Sequence, residues 1–437
     1  MRRLAPFFVA GFMTLAALSL STPPDLDPDP GVPTTLAEEV QLVSRFFHCP
    51  WALANDHNDS SYVFMTGVET QFSMTYLENG SSDEGQSGAA LRGSAVSIDN
   101  TRVLGASAAI VEFADGPAAA AVVTIGDDGL AGDVCSSNLP AVWHVAGGST
   151  REGETLTLRL FNPFADDARV NLSAVSELGT EANDSFQSVS VPARSTRTFS
   201  LEVELPGREA LSVFVEHIEG SVIPVMVQST GSDLAMWPGT RHSQVWEFPL
   251  VTEAGLETEL VLTNYSPIEV TFSIEVFDES ATVLIGETGT ISGPGQTRVA
   301  LADVAAETYG LRITADGPFG AVVVGRGDRS VVATVGSPTV SDVWLVPGPN
   351  AESRAGYRMW FLNTGVDPVT VTYRKANATG SGDVATIEVA AGAVASVVVT
   401  DVATTGIEAS GTGPFSAAWS AEFDGRRMFS GAVPIGE

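Results

Sequence analysis

Cys49 and Cys135 are the two cysteines of the sequence, and its histidines are His48, His57, His144, His217 and His242, so side chains suited to nucleophilic or metal chemistry are few. In an oxidising compartment two thiols flanking one domain most simply form a disulfide, here closing a loop of 86 residues. The chain-entropy model gives such a bridge about 4 to 5 kcal/mol. A metal site would need more ligands than one cysteine at each end, and a catalytic thiol would want a histidine partner. His48 beside Cys49 serves as that partner only if the thiol stays free. The histidines form neither H-x-H nor H-E-x-x-H, and no G-x-S-x-G elbow, P-loop or dinucleotide fingerprint occurs. These patterns assign no catalytic residue, no metal ligand and no cofactor.

Carboxylates are abundant: 53 acidic residues face 22 basic ones, Lys375 is the sole lysine, and the net charge is −31. With that many acids, a pair at glycosidase separation arises from composition alone. The balance repels nucleic acid and anionic membranes, whose affinity rests on Lys and Arg. Neutral or cationic partners and divalent cations remain open. DLDPDPG (Asp25–Gly31) imitates the start of an EF-hand loop, but its glycine is one place late and prolines interrupt it. TIGDDGLAGD (Thr124–Asp133) collects more oxygens and reads as a turn, and GRGD (Gly325–Asp328) is too short to carry meaning. The aromatics are more informative. Aligned strands put Trp360 where Arg159 and Val261 stand, on the face opposite the core leucines, and Trp237 lies in a connector, DLAMWPGTRHSQ. An outward tryptophan stacks on a sugar or plugs a joint between units, so Trp237 and Trp360 are candidate binding or interdomain residues.

The elements that must position these residues recur. A tryptophan opens VWHVAGG, VWEFPLV and VWLVPGP at Trp143, Trp246 and Trp344, 103 and 98 residues apart. A strand ending in asparagine follows each, at Asn162, Asn264 and Asn363, 19, 18 and 19 residues on. A phrase like DGPFGAVVV recurs at Asp115, Glu219, Asp316 and Thr412, its glycine 27, 26 and 27 residues before the next tryptophan. The first unit lacks the tryptophan, carries FFHCPW in its place, and has MTYLENG for the asparagine. Between landmarks apolar residues alternate with period two, as in VTFSIEVF and TLTLRL, the pattern of strands with one buried face. About seven short strands per ~100 residues predict immunoglobulin-like β-sandwiches, and a four-bladed propeller is disfavoured because a blade needs only ~45 residues. The DGP phrase then reads as a closing hairpin and the asparagine as an Asx turn.

The expected organisation is all-β: 1–24 a signal peptide or signal anchor, 25–44 a Pro/Asp-rich spacer, 45–141 a divergent sandwich holding the disulfide, and sandwiches at 142–243, 244–341 and 342–437. The opening MRRLAPFFVAGFMTLAALSLS has the basic start and apolar run of an export signal, so an extracellular or cell-envelope location is expected, with membrane attachment only through that segment.

WHVAGGSTREGETLTLRLFNPFADDARV (143–170) and VSVPARSTRTFSL (189–201) resemble the actinobacterial secreted proteins grouped as domain of unknown function 5719. The HCPW and DVCSSN contexts of Cys49 and Cys135 are similar to those of that family as well. The resemblance implies tandem sandwiches and an exported address, and an association with envelope genes that include glycosyltransferases; it brings no functional residues. Together these expectations describe a non-enzymatic exported stalk that scaffolds or binds an envelope protein or cell-wall glycan, oligomeric state open. A carbohydrate-binding module using the outward tryptophans and an envelope glycan-processing enzyme are the alternatives.

Overall fold

The computed structural model describes residues 46–435 apart from 55–57, 79–80, 100–104, 252–254, 282, 302–308, 349–355 and 400–404. The export signal, the spacer with DLDPDPG, and His57 lie outside the described residues. The first segment comprises β1 (Phe46–Ala54), β2 (Asn58–Thr66), β3 (Thr70–Glu78), β4 (Ser81–Ala90), β5 (Ala95–Asp99), β6 (Gly105–Phe113), β7 (Ala118–Gly126) and β8 (Leu130–Val134). The second comprises β9 (Val142–Val145), β10 (Thr155–Asn162), β11 (Ala168–Ser176), β12 (Gly179–Glu181), β13 (Val189–Val191), β14 (Ser195–Ser200), β15 (Leu211–Glu219), β16 (Ile223–Ser229) and β17 (Leu234–Pro238). The third comprises β18 (Ser243–Phe248), β19 (Glu257–Asn264), β20 (Val270–Phe277), β21 (Val283–Ile291), β22 (Gly295–Ala300), β23 (Gly310–Arg326) and β24 (Val331–Val335). The fourth comprises β25 (Ser341–Pro347), β26 (Gly356–Asn363), β27 (Val369–Asn377), β28 (Gly380–Val389), β29 (Ala393–Val399), β30 (Gly406–Phe423), β31 (Arg426–Gly431) and β32 (Val433–Pro434).

The protein is all-β and sandwich-like, and one strand plan recurs. In the first segment the sheets run β1-β6-β3-β4 and β5-β2-β7-β8, and in the second β9-β15-β11-β12 and β14-β10-β16-β17. Period-two burial drives this layering: Leu156, Leu158 and Leu160 of β10 are buried while Thr155 is exposed. As in immunoglobulins, the last two strands pair within one sheet, β7 with β8 and β16 with β17. The strands flanking the DGP phrase, β6 and β7 in the first segment, lie in different sheets. The DGP phrase is therefore a crossing between sheets and not the expected hairpin. In the first two segments the crossing bends at Gly116 and Gly220, with φ of 77° and 65°, a region that favours glycine. In the third and fourth the chain runs straight through it: β23 pairs with β20 by its first half and with β19 by its second, and β30 does likewise with β27 and β26.

The landmarks meet in space. Trp143, Trp246 and Trp344 each donate from Nε1, at 2.9 Å, to the carbonyl of Val222, Phe319 and Phe415, two residues after the phrase's glycine. Asn162, Asn264 and Asn363 are fully buried. Each accepts at Oδ1 from a backbone N–H two residues on, the expected Asx turn, and its Nδ2 also braces the turn to a neighbouring connection, as Asn162 does to the Asp166 and Val191 carbonyls at 2.9 and 3.0 Å. In the first segment the matching end of β2 is Thr66, whose hydroxyl donates to the Val68 carbonyl at 2.6 Å. MTYLE of MTYLENG falls in β3 and not in β2, and the asparagine expected there, Asn79, lies outside the described residues.

Residues from Val43 onward form one compact unit. The last long strand of each segment packs on the next in a cycle: β8 on β17, β17 on β24, β24 on β31, and β31 back on β8. The segments close into a ring about these four strands, so they do not line up as a stalk. Interiors also continue across the joints: the second segment's core includes Leu77 and Ala108 of the first and Val261, Val322 and Val324 of the third.

Candidate functional site

The seams between segments concentrate the molecule's buried ionisable groups. Phe47 opposes Val111 in β6 as Trp143 opposes Val215 in β15, and both valines stand five residues before the phrase's glycine. Phe47 is thus the first segment's opening aromatic. Because strand side chains alternate, the next residue in each segment, His48, His144, Glu247 and Leu345, turns away from its own core toward the following segment. All four are buried.

His48 lies with its ring 6.0 Å from that of Phe164 in the second segment, and its Nδ1 has no hydrogen-bond partner. Burial pulls its pKa down to about 4. His144 places Nδ1 3.1 Å from Thr263 Oγ1 in the third segment and packs edge-on to Phe214. Burial, with help from His242, pulls it down to about 3. The approach there is close, since a Cβ on Gly320 would stand 2.6 Å from His144 Cβ. Glu247 accepts from the Thr364 and Ser416 hydroxyls of the fourth segment, each at 2.7 Å. Burial raises its pKa, against the hydroxyls and Arg312. Leu345 closes the fourth seam among Met65, Ala95 and Ala119 of the first segment.

Two aspartates join the axial strands. Asp133 accepts at Oδ1 from Ser430 Oγ and the Gly431 amide of the fourth segment, at 3.0 and 3.2 Å. Asp233 accepts at Oδ1 from the Leu130 amide of the first segment and at Oδ2 from Ser330 Oγ and the Val331 amide of the third, at 3.0, 3.1 and 2.9 Å. Sequence reading passed over Asp233 and Glu247, and met Asp133 only as the last residue of TIGDDGLAGD, read as a turn. Glu247 had a signal, because it follows a unit-opening tryptophan just as His144 does; the aspartates had none beyond the glycine-centred turns beside them.

Cys49 and Cys135 form the expected disulfide, with Cα atoms 4.7 Å apart, tying β1 to the residue after β8. Histidine catalysis on a free thiol at Cys49 is thereby excluded in this oxidised form. Trp237 and Trp360 are both fully buried, which removes them as sugar platforms. Trp237 donates from Nε1 to the Ala146 carbonyl at 2.8 Å within the second segment's core. Trp360 does leave its own core, into a cluster with Leu250, Phe277 and Val332 of the third segment, where Nε1 donates to Ser420 Oγ at 3.0 Å. The face opposite the leucines is covered by a neighbouring segment, not by water.

Among the described residues no group of three or more His, Cys, Asp or Glu is arranged to hold a metal. In TIGDDGLAGD, Asp128 is engaged by Asn58 Nδ2 at 2.6 Å, and the segment is the β7–β8 hairpin. In GRGD, Arg326 is ion-paired with Glu259 at 3.1 Å and Asp328 is exposed on the β23–β24 turn. A cavity of about 10 Å³ beside the disulfide, lined by Trp51, Asp133 and Met236 among others, is too small for a sugar. No described helix is long and apolar enough to cross a membrane.

A comparison with curated proteins finds no match. A solved structure described as "Crystal structure of tetra-tandem repeat in extending region of large adhesion protein" aligns over 84% of this chain and 92% of that one, at 12% identity and a TM-score of 0.13. A score that low carries no argument. A family model described as "Family of unknown function (DUF5719)" matches residues 94–400, from inside the first segment to the end of β29 in the fourth. Covering well over half of the sequence and parts of all four segments, that match identifies the chain as a member of the DUF5719 family.

Proposed function

We propose that the protein is an exported, non-enzymatic component of the cell envelope, in which four immunoglobulin-like sandwich units form a ring-shaped scaffold or binding platform. The closed cycle of axial strands carries this reading: side chains that in isolated units would face outward, Trp360 and Glu247 among them, are used to hold segments together. The disulfide suits an oxidising, exported environment, and a net charge of −31 favours a neutral or cationic partner, an envelope protein or a wall glycan, over nucleic acid. The carbohydrate-binding alternative loses the two indoles on which it was built. Photo-crosslinking the full chain in intact cells, followed by identification of the adduct, tests the proposal. An envelope protein or wall fragment is the expected adduct. A purely cytoplasmic distribution, or turnover of wall glycan by the purified chain, would contradict it.

A further inference from the structure

Asp133 and Asp233 are buried at the centre of the ring, and neither forms an ion pair among the described residues. Asp133 Oδ1 accepts three hydrogen bonds, the third from the Val134 amide at 2.7 Å, while Oδ2 has no partner. Beside it lies the cavity of about 10 Å³, room for no more than a single water molecule. The surrounding elements bring little charge. From β1 comes His48, held neutral by burial. From β31 come Arg426, which donates to the Gly126 and Asp127 carbonyls, and Arg427, which lies 3.6 Å from Glu422. The hairpin turns add Asp127 and Asp128 on one side and Arg329, paired with Asp424 at 3.8 Å, on another. Strands β7, β16, β17 and β24 carry no ionisable side chain. A carboxylate buried without a counter-ion is costly, whereas the neutral acid needs only its hydrogen bonds.

We propose that closing the ring takes up protons: Asp133 and Asp233 occupy the axis as neutral carboxylic acids, so the closed four-segment ring is tighter in mildly acidic than in alkaline solution. Burial pushes Asp133 up to about 7 and Asp233 up to about 6, against the amide and hydroxyl donors that favour the charged form. A folded-state pKa raised above the unfolded value of 3.8 gives stability that is complete below 3.8 and is lost as pH rises through the folded value. The window is therefore pH 3.8 to about 7 for Asp133 and 3.8 to about 6 for Asp233. Glu247 acts in the same direction, and His48 and His144 in the opposite one, so variants must separate the contributions.

The test is urea unfolding of the full oxidised chain across this range, for the native sequence, Asp133→Asn and Asp233→Asn. Asparagine keeps the shape of the neutral acid and cannot titrate; at Asp233, where both oxygens accept from backbone amides, its NH2 gives up one of those bonds, so the pH slope and not the absolute stability is the readout. Each substitution is expected to flatten the pH dependence of the unfolding constant by up to about one proton, a tenfold or larger change across the window. Profiles parallel to the native one would overturn the proposal. Should a variant fail to fold, infrared spectroscopy of the Glu247→Gln chain, which lacks the third buried carboxyl, decides: a protonated-carboxyl C=O band that survives at pH 5 and titrates away toward pH 8 supports it, and absence of that band overturns it.

Discussion

Two segments with one strand plan fill the same register position with opposite chemistry. Asp133 opposes Val122 in the first segment, and Trp237 opposes Met226 in the second, each partner six residues past the phrase's glycine. In the second segment an indole completes the core and satisfies its N–H on the Ala146 carbonyl. In the first, a carboxyl reaches across the seam to Ser430, with the disulfide and a small cavity beside it. Strand alternation and pairing set where a side chain points. What it does there depends on the neighbouring segment, so a single framework accommodates an apolar plug, a hydrogen-bonded acid or a titratable base.

The largest effect should come from moving the first segment's residue into the second. Trp237→Asp would leave a large void and bury a carboxyl without donors, at a cost of about 5 kcal/mol or more. Urea denaturation should find it unfolded or nearly so; a mild loss would mean the second segment adapts as the first does. Next comes the pair Cys49→Ser with Cys135→Ser, expected to cost about 4 kcal/mol for a loop of 86 residues. Calorimetry should show the Tm falling accordingly, and an unchanged Tm would place the stability of the Asp133 region elsewhere. Glu247→Leu copies the fourth seam into the third and strands the Thr364 and Ser416 hydroxyls, at about 1 to 3 kcal/mol. Rescue by also replacing both hydroxyl residues with alanine and valine would trace the loss to those groups. The smallest effect is His144→Phe. Because burial depresses its folded pKa to about 3, stability is present above the unfolded value of 6.5 and is lost as pH falls toward 3. Removing the imidazole should relieve acid destabilisation, by less than about 1 kcal/mol at pH 6, read from unfolding midpoints.

The repeated unit was legible because burying one face of a strand requires alternation, and because the Trp and Asn landmarks are internal to each segment: Trp143 bonds the crossing phrase and Asn162 braces its own turn. The disulfide was legible from count and compartment. The crossing was misread because an Asp-Gly pair between two alternating runs suits a hairpin and a sheet-to-sheet bend equally well, and only pairing distinguishes them. Trp360 was placed on the correct face, away from Phe361 and Met359, but alternation does not reveal whether the far side meets water or another segment. The ring itself left no local trace. Val63, Arg159, Val261 and Trp360 share one position facing the preceding segment, or the fourth segment in the case of Val63, yet range from a small aliphatic side chain to a guanidinium and an indole. Each is matched to its own neighbour.

Small-angle X-ray scattering on the chain from Val43 tests the closed ring most directly. About 395 residues packed as one body should give a radius of gyration of about 21 Å. A rod-like profile longer than roughly 100 Å, as four sandwiches end to end would give at about 27 Å per eight-residue strand, would contradict the closure of β31 onto β8.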